Sequence, residues 1–470
     1  MLEGLEVVEL KFSELETGIR FDAELYQKDF VLFERNIRKI KYSKLGDEVK
    51  LIKKGIFDIK ADCYSDYGIP FVRISNLKNS VIDMDNIIFI PESENNKNLN
   101  TYLVKNDIIL SKTANAAASI VNIPFCNTSQ DTVAIKLKEK SLVNSHFVVV
   151  YLNTKYGLGQ MQRWFTGNIQ MHLNLDDCKN NLLIPVYSNK FQNIIKELFE
   201  DSLSKSSYSQ KAYSSAESIL LESIGLQDFA PSKESINIKS FKESFLETGR
   251  LDAEYYQKKY ENVIDHIKSN DYETLKDIVN ISKSIEPGSD YYSEEGIPFL
   301  RVADYNKYGV SEPNKKLSLK FCEDNKELLE KIKPKKNTIL FSKDGSVGIA
   351  YQLRNDLEVI TSGAILHLTI KDNKKVIPEY LTLVLNSKVV QMQAERDAGG
   401  SIILHWRVSE IENVIIPLIE KSIQKKIATL VEKSFALKKE SEYLLEKAKR
   451  AVEIAIEKDE TAAIRFIESE

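Results

Sequence analysis

Cysteine is scarce. Cys63, Cys126, Cys178 and Cys322 are scattered over 470 residues, and no two form a CxxC pair. That excludes the dense disulfide framework of small secreted domains and leaves reduced, buried or incidental thiols of a cytoplasmic protein. Histidine is nearly as rare. His146, His172, His266, His367 and His405 form no ligand pair, so no metal site is expected. No run of 18 or more apolar residues is present, so no membrane span is expected. The acidic start MLEGLEVVELKFSELE lacks the basic flank and apolar stretch of a secretory signal. Catalytic signatures are missing as well: no GxxxxGK[ST], no HExxH, no GxGxxG after a strand, no Asn-Pro-Pro-aromatic tetrapeptide. Glu48-Val49-Lys50 has the Glu-x-Lys order of some nucleases, but such tripeptides are common by chance. No catalytic residue and no cofactor is therefore expected. Net charge is −4, from 65 Lys and Arg against 69 Asp and Glu. Taken globally this argues against a nucleic-acid partner, although binding depends on where the charge sits.

What is present is a repeat. The sequence is 43% hydrophobic and 29% charged, enough apolar material for two or three domains. LETG at Leu15–Gly18 returns at Leu246–Gly249, and FDAELYQ at Phe21–Gln27 returns as LDAEYYQ at Leu251–Gln257. GIPFVRI at Gly68 returns as GIPFLRV at Gly296, and the segments ending LSK at Lys112 and FSK at Lys343 correspond. LNTK at Leu152 matches LNSK at Leu385, QMQ at Gln160 matches QMQ at Gln391, and NLLIP ending at Pro185 matches NVIIP ending at Pro417. Anchors in one order at a nearly constant offset mean two copies of one unit. Between the anchors the match fades, as a shared scaffold with different loops would require.

Each copy reads as a charged, Tyr-rich helical stretch followed by an α/β part. Apolar, β-branched runs predict strands at Ile69–Ile74, Ile108–Leu110, Thr132–Leu137, Ile297–Val302, Thr338–Phe341 and Ala364–Ile370. Gly-Ile-Pro at the first strand of each copy marks an edge or a strand start. A long helix closes each copy. From Gln424 to about Glu457 there is neither Gly nor Pro, and Ile427, Leu430, Ser434, Leu437, Ser441, Leu444, Ala448, Ala451 and Ala455 alternate spacings of three and four. The equivalent stretch, Phe191 to Ile224, carries a more polar seam and a stop at Gly225. The two helices are expected to pack on each other, and about 34 residues at 1.5 Å each span about 50 Å. The predicted domains are 1–190, 191–226 for the central helix, 227–243 for the linker, 244–420, and 421–470 for the C-terminal helix.

Two polar segments recur at equivalent places. SKTANAAAS at Ser111–Ser119 faces SKDGSVG at Ser342–Gly348, and TGNIQMHLN at Thr166–Asn174 faces GGSIILHWR at Gly399–Arg407. Ser and Lys after a strand suit a phosphate backbone, and Asn, Gln, His and Arg can read base edges. The candidate DNA-binding residues are Ser111, Lys112, Asn115, Asn168, Gln170, His172, Ser342, Lys343, Ser346, Ser401, His405 and Arg407. The plainer readings are an ordinary strand exit for the first pair and a turn with Met171 and Trp406 in the core for the second. Arg73 and Arg301, inside equivalent strands, read as structural ion pairs more than as DNA contacts, and the basic run Lys331–Asn337 as a solvated loop.

Taken together, IRFDAELYQ and RLDAEYYQKKY, GIPFVRISNL and GIPFLRVADY, ILSK and LFSKDGSVG, and the helices after NLLIP and VIIP resemble the specificity subunits of type I restriction–modification systems. The resemblance spans both halves of the chain. It implies a mixed α/β fold: two tandem, pseudo-symmetric globular target-recognition domains separated by two long helices packed as an antiparallel coiled coil. It implies a non-catalytic subunit that binds double-stranded DNA at a bipartite, asymmetric site and docks two methylation subunits and restriction (translocase–nuclease) subunits. The methyl donor and ATP belong to those partners. A helix pair of about 50 Å would then hold the readers roughly one to one and a half DNA turns apart. A specificity module for a fused methyltransferase–nuclease uses the same scaffold, and a coiled-coil adaptor that binds protein instead of DNA is the other reading.

Overall fold

The computed structural model describes residues 7–12, 15, 23–60, 63–78, 80–84, 86–113, 117–167, 172–234, 236–400 and 402–469. The first repeat contains α1 (Lys28–Arg38), β1 (Tyr42–Lys44), β2 (Val49–Lys54), β3 (Ile69–Val72), β4 (Ile88–Ile90), β5 (Ile108–Ser111), β6 (Ala118–Ile120), β7 (Phe125–Thr128), β8 (Thr132–Leu137), α2 (Ser145–Leu152), α3 (Lys155–Arg163), β9 (Leu183–Pro185) and the long α4 (Asn189–Ser223). The second contains α5 (Lys258–Lys268), β10 (Tyr272–Thr274), β11 (Val279–Lys283), β12 (Ile297–Leu300), β13 (Ile339–Ser342), β14 (Ala350–Gln352), β15 (Ile360–Thr361), β16 (Ile365–Ile370), α6 (Pro378–Asn386), α7 (Lys388–Asp397), β17 (Ile415–Pro417) and the long α8 (Lys421–Glu457). A separate helix, α9 (Glu460–Ser469), follows a break at Lys458–Asp459, where Asp459 accepts from the Ala462 amide at 2.8 Å and caps it.

The strand order repeats. β2-β8-β5-β6 recurs as β11-β16-β13-β14, all antiparallel. A parallel pair, β3 with β7, recurs as β12 with β15. β1 with β9, in register Tyr42↔Pro185, recurs as β10 with β17, in register Tyr272↔Pro417. Each predicted strand is present, although β3 and β12 stop before Arg73 and Arg301, where a short 3-10 turn begins. β3 is flanked on both sides, so Pro70 marks a strand start instead of an edge. Its parallel pairing to β7 begins one residue later, at Phe71↔Asn127.

The repeated residues are mostly buried polar clamps. The Gln160 side chain accepts from the Leu183 amide at 2.9 Å and donates to its carbonyl at 3.0 Å, and Gln393 does the same to Ile415 at 2.8 and 2.9 Å. Gln160 therefore corresponds to Gln393, not to Gln391, and the two QMQ tripeptides are offset by two residues in space. Asn153 exchanges hydrogen bonds with Ala118 as Asn386 does with Ala350. Gln192 closes the turn before α2 and Gln424 the turn before α6, by accepting from Asn144 and Ile377. Such groups are buried at a cost unless paired, so the positions tolerate little else.

By contacts the chain forms two compact units: Met1–Ser204 with Glu440–Glu470, and Lys205–Lys439. Each long helix contributes half its length to each unit. In the first unit Phe191, Ile195 and Phe199 on α4 share a core with Ala448, Ala451 and Ala455 on α8. In the second, Tyr213, Ala216 and Leu220 on α4 share a core with Ile427 and Val431 on α8. In the first core, large side chains opposite alanines let the antiparallel helices approach closely. Serines fix the register. Ser202 and Ser441 each donate to the other's carbonyl at 2.8 Å in the first unit, and Ser209 and Ser434 do so at 2.8 and 2.9 Å in the second. The expected seam is largely present, but near its end Leu445 is the buried residue, while Leu444 and Leu437 are half-buried. α4 stops at a Schellman motif: Gly225 has φ +69°, its amide donates to Glu222 at 3.0 Å, and Leu226 donates to Leu221 at 2.7 Å.

Cys126, Cys178 and Cys322 are buried, Cys63 is half-buried, and none of the four is in a disulfide among the described residues. Burial pushes the Cys126 and Cys178 thiols up to about 12. Glu48, of the Glu-x-Lys tripeptide, is a structural acceptor. Burial raises its carboxyl, but hydrogen bonds from Ser43, Ser141 and the Leu142 amide outweigh this and hold it below the usual range. Among the described residues no helix is long and apolar enough to cross a membrane.

One buried histidine in each unit makes stability depend on pH. Burial lowers His146 to about 4 despite Glu200 at 3.5 Å, and lowers His367, whose Nε2 lies 2.8 Å from Thr361 Oγ1, to about 4. The unfolded chain takes up these protons near pH 6.5, the folded chain only near 4. The stability gained by keeping them neutral is thus full above about pH 6.5 and is lost as pH falls towards 4. Urea midpoints should drop between pH 7.5 and pH 5, with each histidine contributing on the order of 1–3 kcal/mol, and His367→Gln should shrink the drop. Equal midpoints at both pH values would rule this out.

Candidate nucleic-acid interface

In both repeats a strand exit and a distant turn are tied together by the same bond. Leu173 N–H donates to the Lys112 carbonyl at 2.8 Å, and Trp406 N–H donates to the Lys343 carbonyl at 2.8 Å. Isolated bridges join Thr113 to His172 and Asp344 to His405. The two segments singled out in the sequence are therefore neighbours in each unit, and His172 and His405 are equivalent.

The predicted residues have unequal surroundings. Ser111 and Ser342 are fully buried, and their hydroxyls donate to Thr113 O at 2.7 Å and Ser346 O at 2.5 Å. They shape the loop from beneath and present nothing outward. Lys112 is half-buried. Burial holds its amine below the usual lysine range, and Lys54 adds to this while Asp131 opposes it. Lys343 is instead paired with Asp344, whose other oxygen accepts from His405 Nδ1 at 2.9 Å. Ser346, His405 and Arg407 are exposed, the last two side chains by 65% and 75%. Arg407 lies 3.8 Å from Glu410. His172 is half-buried, and its Nδ1 has no hydrogen-bond partner among the described residues. Asn115, Asn168, Gln170 and Ser401 lie outside the described residues, as does Met171. Trp406 is buried against Phe341, its ring 5.7 Å away, and anchors the second turn.

Two participants were not singled out from the sequence. Lys54, at the end of β2, sets the charge around Lys112, and only the fold brings them together. Asp344 could have been found: it is where SKDG departs from SKTA, and a new carboxylate beside a shared lysine changes the chemistry. Arg301 is a structural ion pair, 3.2 Å from Asp304, whereas Arg73 donates to the Asn86 carbonyl at 3.1 Å. In the basic run, Lys333 is held by Glu330 and Glu358 at 2.7 and 2.8 Å.

The arrangement offers donors from His405, Arg407 and Ser346, an acceptor from Asp344 and a lysine pair in the other unit. These are the groups that read base edges and grip phosphate. Residues 268–447 match the family model described as Type I restriction modification DNA specificity domain. The second repeat therefore matches a type I restriction–modification DNA specificity domain over most of its length. Among solved structures, the chain is similar to the type I restriction–modification S subunit of M. genitalium, at 14% identity and TM-score 0.41, covering 87% of this chain and 94% of that one. It is also similar to the HsdS subunit of Thermoanaerobacter tengcongensis, at 13% identity and TM-score 0.27, covering 89% and 97%, and to the type IIG restriction endonuclease BpuSI, at 13% identity and TM-score 0.28, covering 40% and 33%. No curated protein is a significant match to the chain.

Proposed function

We propose that the chain reads a bipartite, asymmetric double-stranded DNA site, one half through each unit, and positions two methylation subunits and restriction subunits on it. Catalysis in this reading belongs to those partners, and the setting is the cytoplasm. The observation that carries the reading is the pairing of the same two segments in both units with different side chains: Lys112 beside Lys54 and His172 in the first, Lys343 with Asp344, His405 and Arg407 in the second. Like scaffolds with unlike readers give two unlike half-sites. The net charge of −4 leaves much of the phosphate neutralisation to partner subunits.

Base-resolution methylation mapping of the host, with the gene present and deleted, tests this. One two-part, asymmetric motif should vanish on deletion, and an unchanged map would count against the reading. Within that motif, His405→Ala and Arg407→Ala should each relax one half only, by about 1–3 kcal/mol per lost base contact. Loss spread evenly over both halves would refute independent readers.

A further inference from the structure

Resting on that reading, we propose that the tip at Ile402–Leu404 is an apolar wedge that enters the base stack of the half-site bound by the second unit. Ile402 is 96% exposed, Ile403 54% and Leu404 41%, three branched apolar side chains in succession facing solvent. The tip is rigidly based. Gly399 and His405 exchange backbone hydrogen bonds at 3.1 and 2.7 Å, and Gly345 N–H donates to the Leu404 carbonyl at 2.8 Å. Gly400 has φ +136°, and a Cβ there would lie 2.0 Å from the Ile403 carbonyl oxygen, so the turn is closed to other residues. Buried Trp406 holds the returning strand.

DNA is the occupant the surroundings favour. The tip is continuous with His405, which Asp344 orients, and with exposed Arg407. Branched apolar residues gain nothing from phosphate. A duplex offers apolar surface in the thymine methyls of its major groove and in its base stack, and it is the stack that wedges of Ile, Leu or Met part at pyrimidine–purine steps. The first copy carries Ile169 and Met171 where the second has Ile402 and Leu404, although the positions between and beside them differ.

The test uses the chain assembled with its methylation subunits and a duplex carrying the mapped motif. 2-Aminopurine is placed in turn at each position of the half relaxed by His405→Ala, the methylated base excepted. Fluorescence should rise several-fold at one step for the native protein. Ile402→Ser should abolish the rise and weaken binding on the order of tenfold, and Ile402→Leu should keep it. Site-specific binding with no rise at any position would overturn the wedge and leave the reading of DNA standing. So would an Ile402→Ser protein that gives the full rise per bound complex but loses its methylation subunits, a result that would mark the tip as a protein contact. No site-specific binding at all would overturn both.

Discussion

Trp406→Ala should destabilise the second unit by about 3–5 kcal/mol, the range for an aromatic removed from a packed core. Trp406 is 1% exposed and lies against Phe341. Its backbone joins the turn to Lys343, so the cavity opens directly under the candidate reader. The chain has two tryptophans, one per unit, and the other is Trp164, 5% exposed. Circular dichroism in urea should show part of the signal lost at lower denaturant, while Trp164 fluorescence keeps its midpoint. Trp406→Phe should recover most of the loss. An unchanged transition in the alanine variant would mean that the indole is not a core anchor.

The first unit has its own weak point in Arg163. Its guanidinium, 4% exposed, is paired with Glu34, donates to the Leu25 carbonyl at 2.8 Å, and stands 5.6 Å from the Tyr26 ring and 5.5 Å from Trp164. It pins the segment before α1 onto the end of α3. Arg163→Met removes the buried guanidinium with its bond to Leu25 and its ring contacts, and takes one partner from Glu34, for which loss of a fully buried partner would cost about 3–5 kcal/mol. Arg38 also reaches Glu34, at 2.6 Å, which places the expected loss at the lower end. The equivalent Arg396 pairs with Asp397 at 2.6 Å, and its side chain is 20% exposed, so Arg396→Met should cost clearly less. Limited proteolysis should find new cleavage before Lys28 in the Arg163 variant. Two variants of equal stability would contradict the difference in burial.

These arginines also explain why one phrase occurs twice. Arg250 lies 4.5 Å from the Tyr255 ring, pairs with Asp252 at 2.7 Å and donates to the Asp397 carbonyl at 2.9 Å. The RLDAEYYQ segment is thus a strap onto α7. Repeated phrases encode straps, clamps and strand ends, whose chemistry is local and tied to backbone geometry. That is why the repeat, most strands and both long helices were legible from residues alone. The offset between the QMQ tripeptides was not, because three matching letters outweighed a two-residue shift that only hydrogen bonds to Leu183 and Ile415 reveal. The candidate interface was legible as two segments but not as a surface. Sequence marks Ser111 and Ser342 as polar, yet only the fold shows that they point inward. Nor does sequence say that Lys112 meets Lys54 while Lys343 meets Asp344.

The exchange of helix halves has a consequence for how the molecule can be divided. The core that holds Phe191, Ile195 and Phe199 is finished by Ala448, Ala451 and Ala455, encoded at the far end of the gene. The core around Ile427 and Val431 is finished by Ala216 and Leu220, encoded near its middle. A chain that stopped after Leu226 would carry a complete recognition fold and an unfinished interior. The second half of its own α4 carries an apolar face, with Tyr213, Ala216 and Leu220, that a second copy of the fragment could offer tail to head. Duplication and fusion would then have turned an association between equals into a covalent one, after which the two readers were free to diverge.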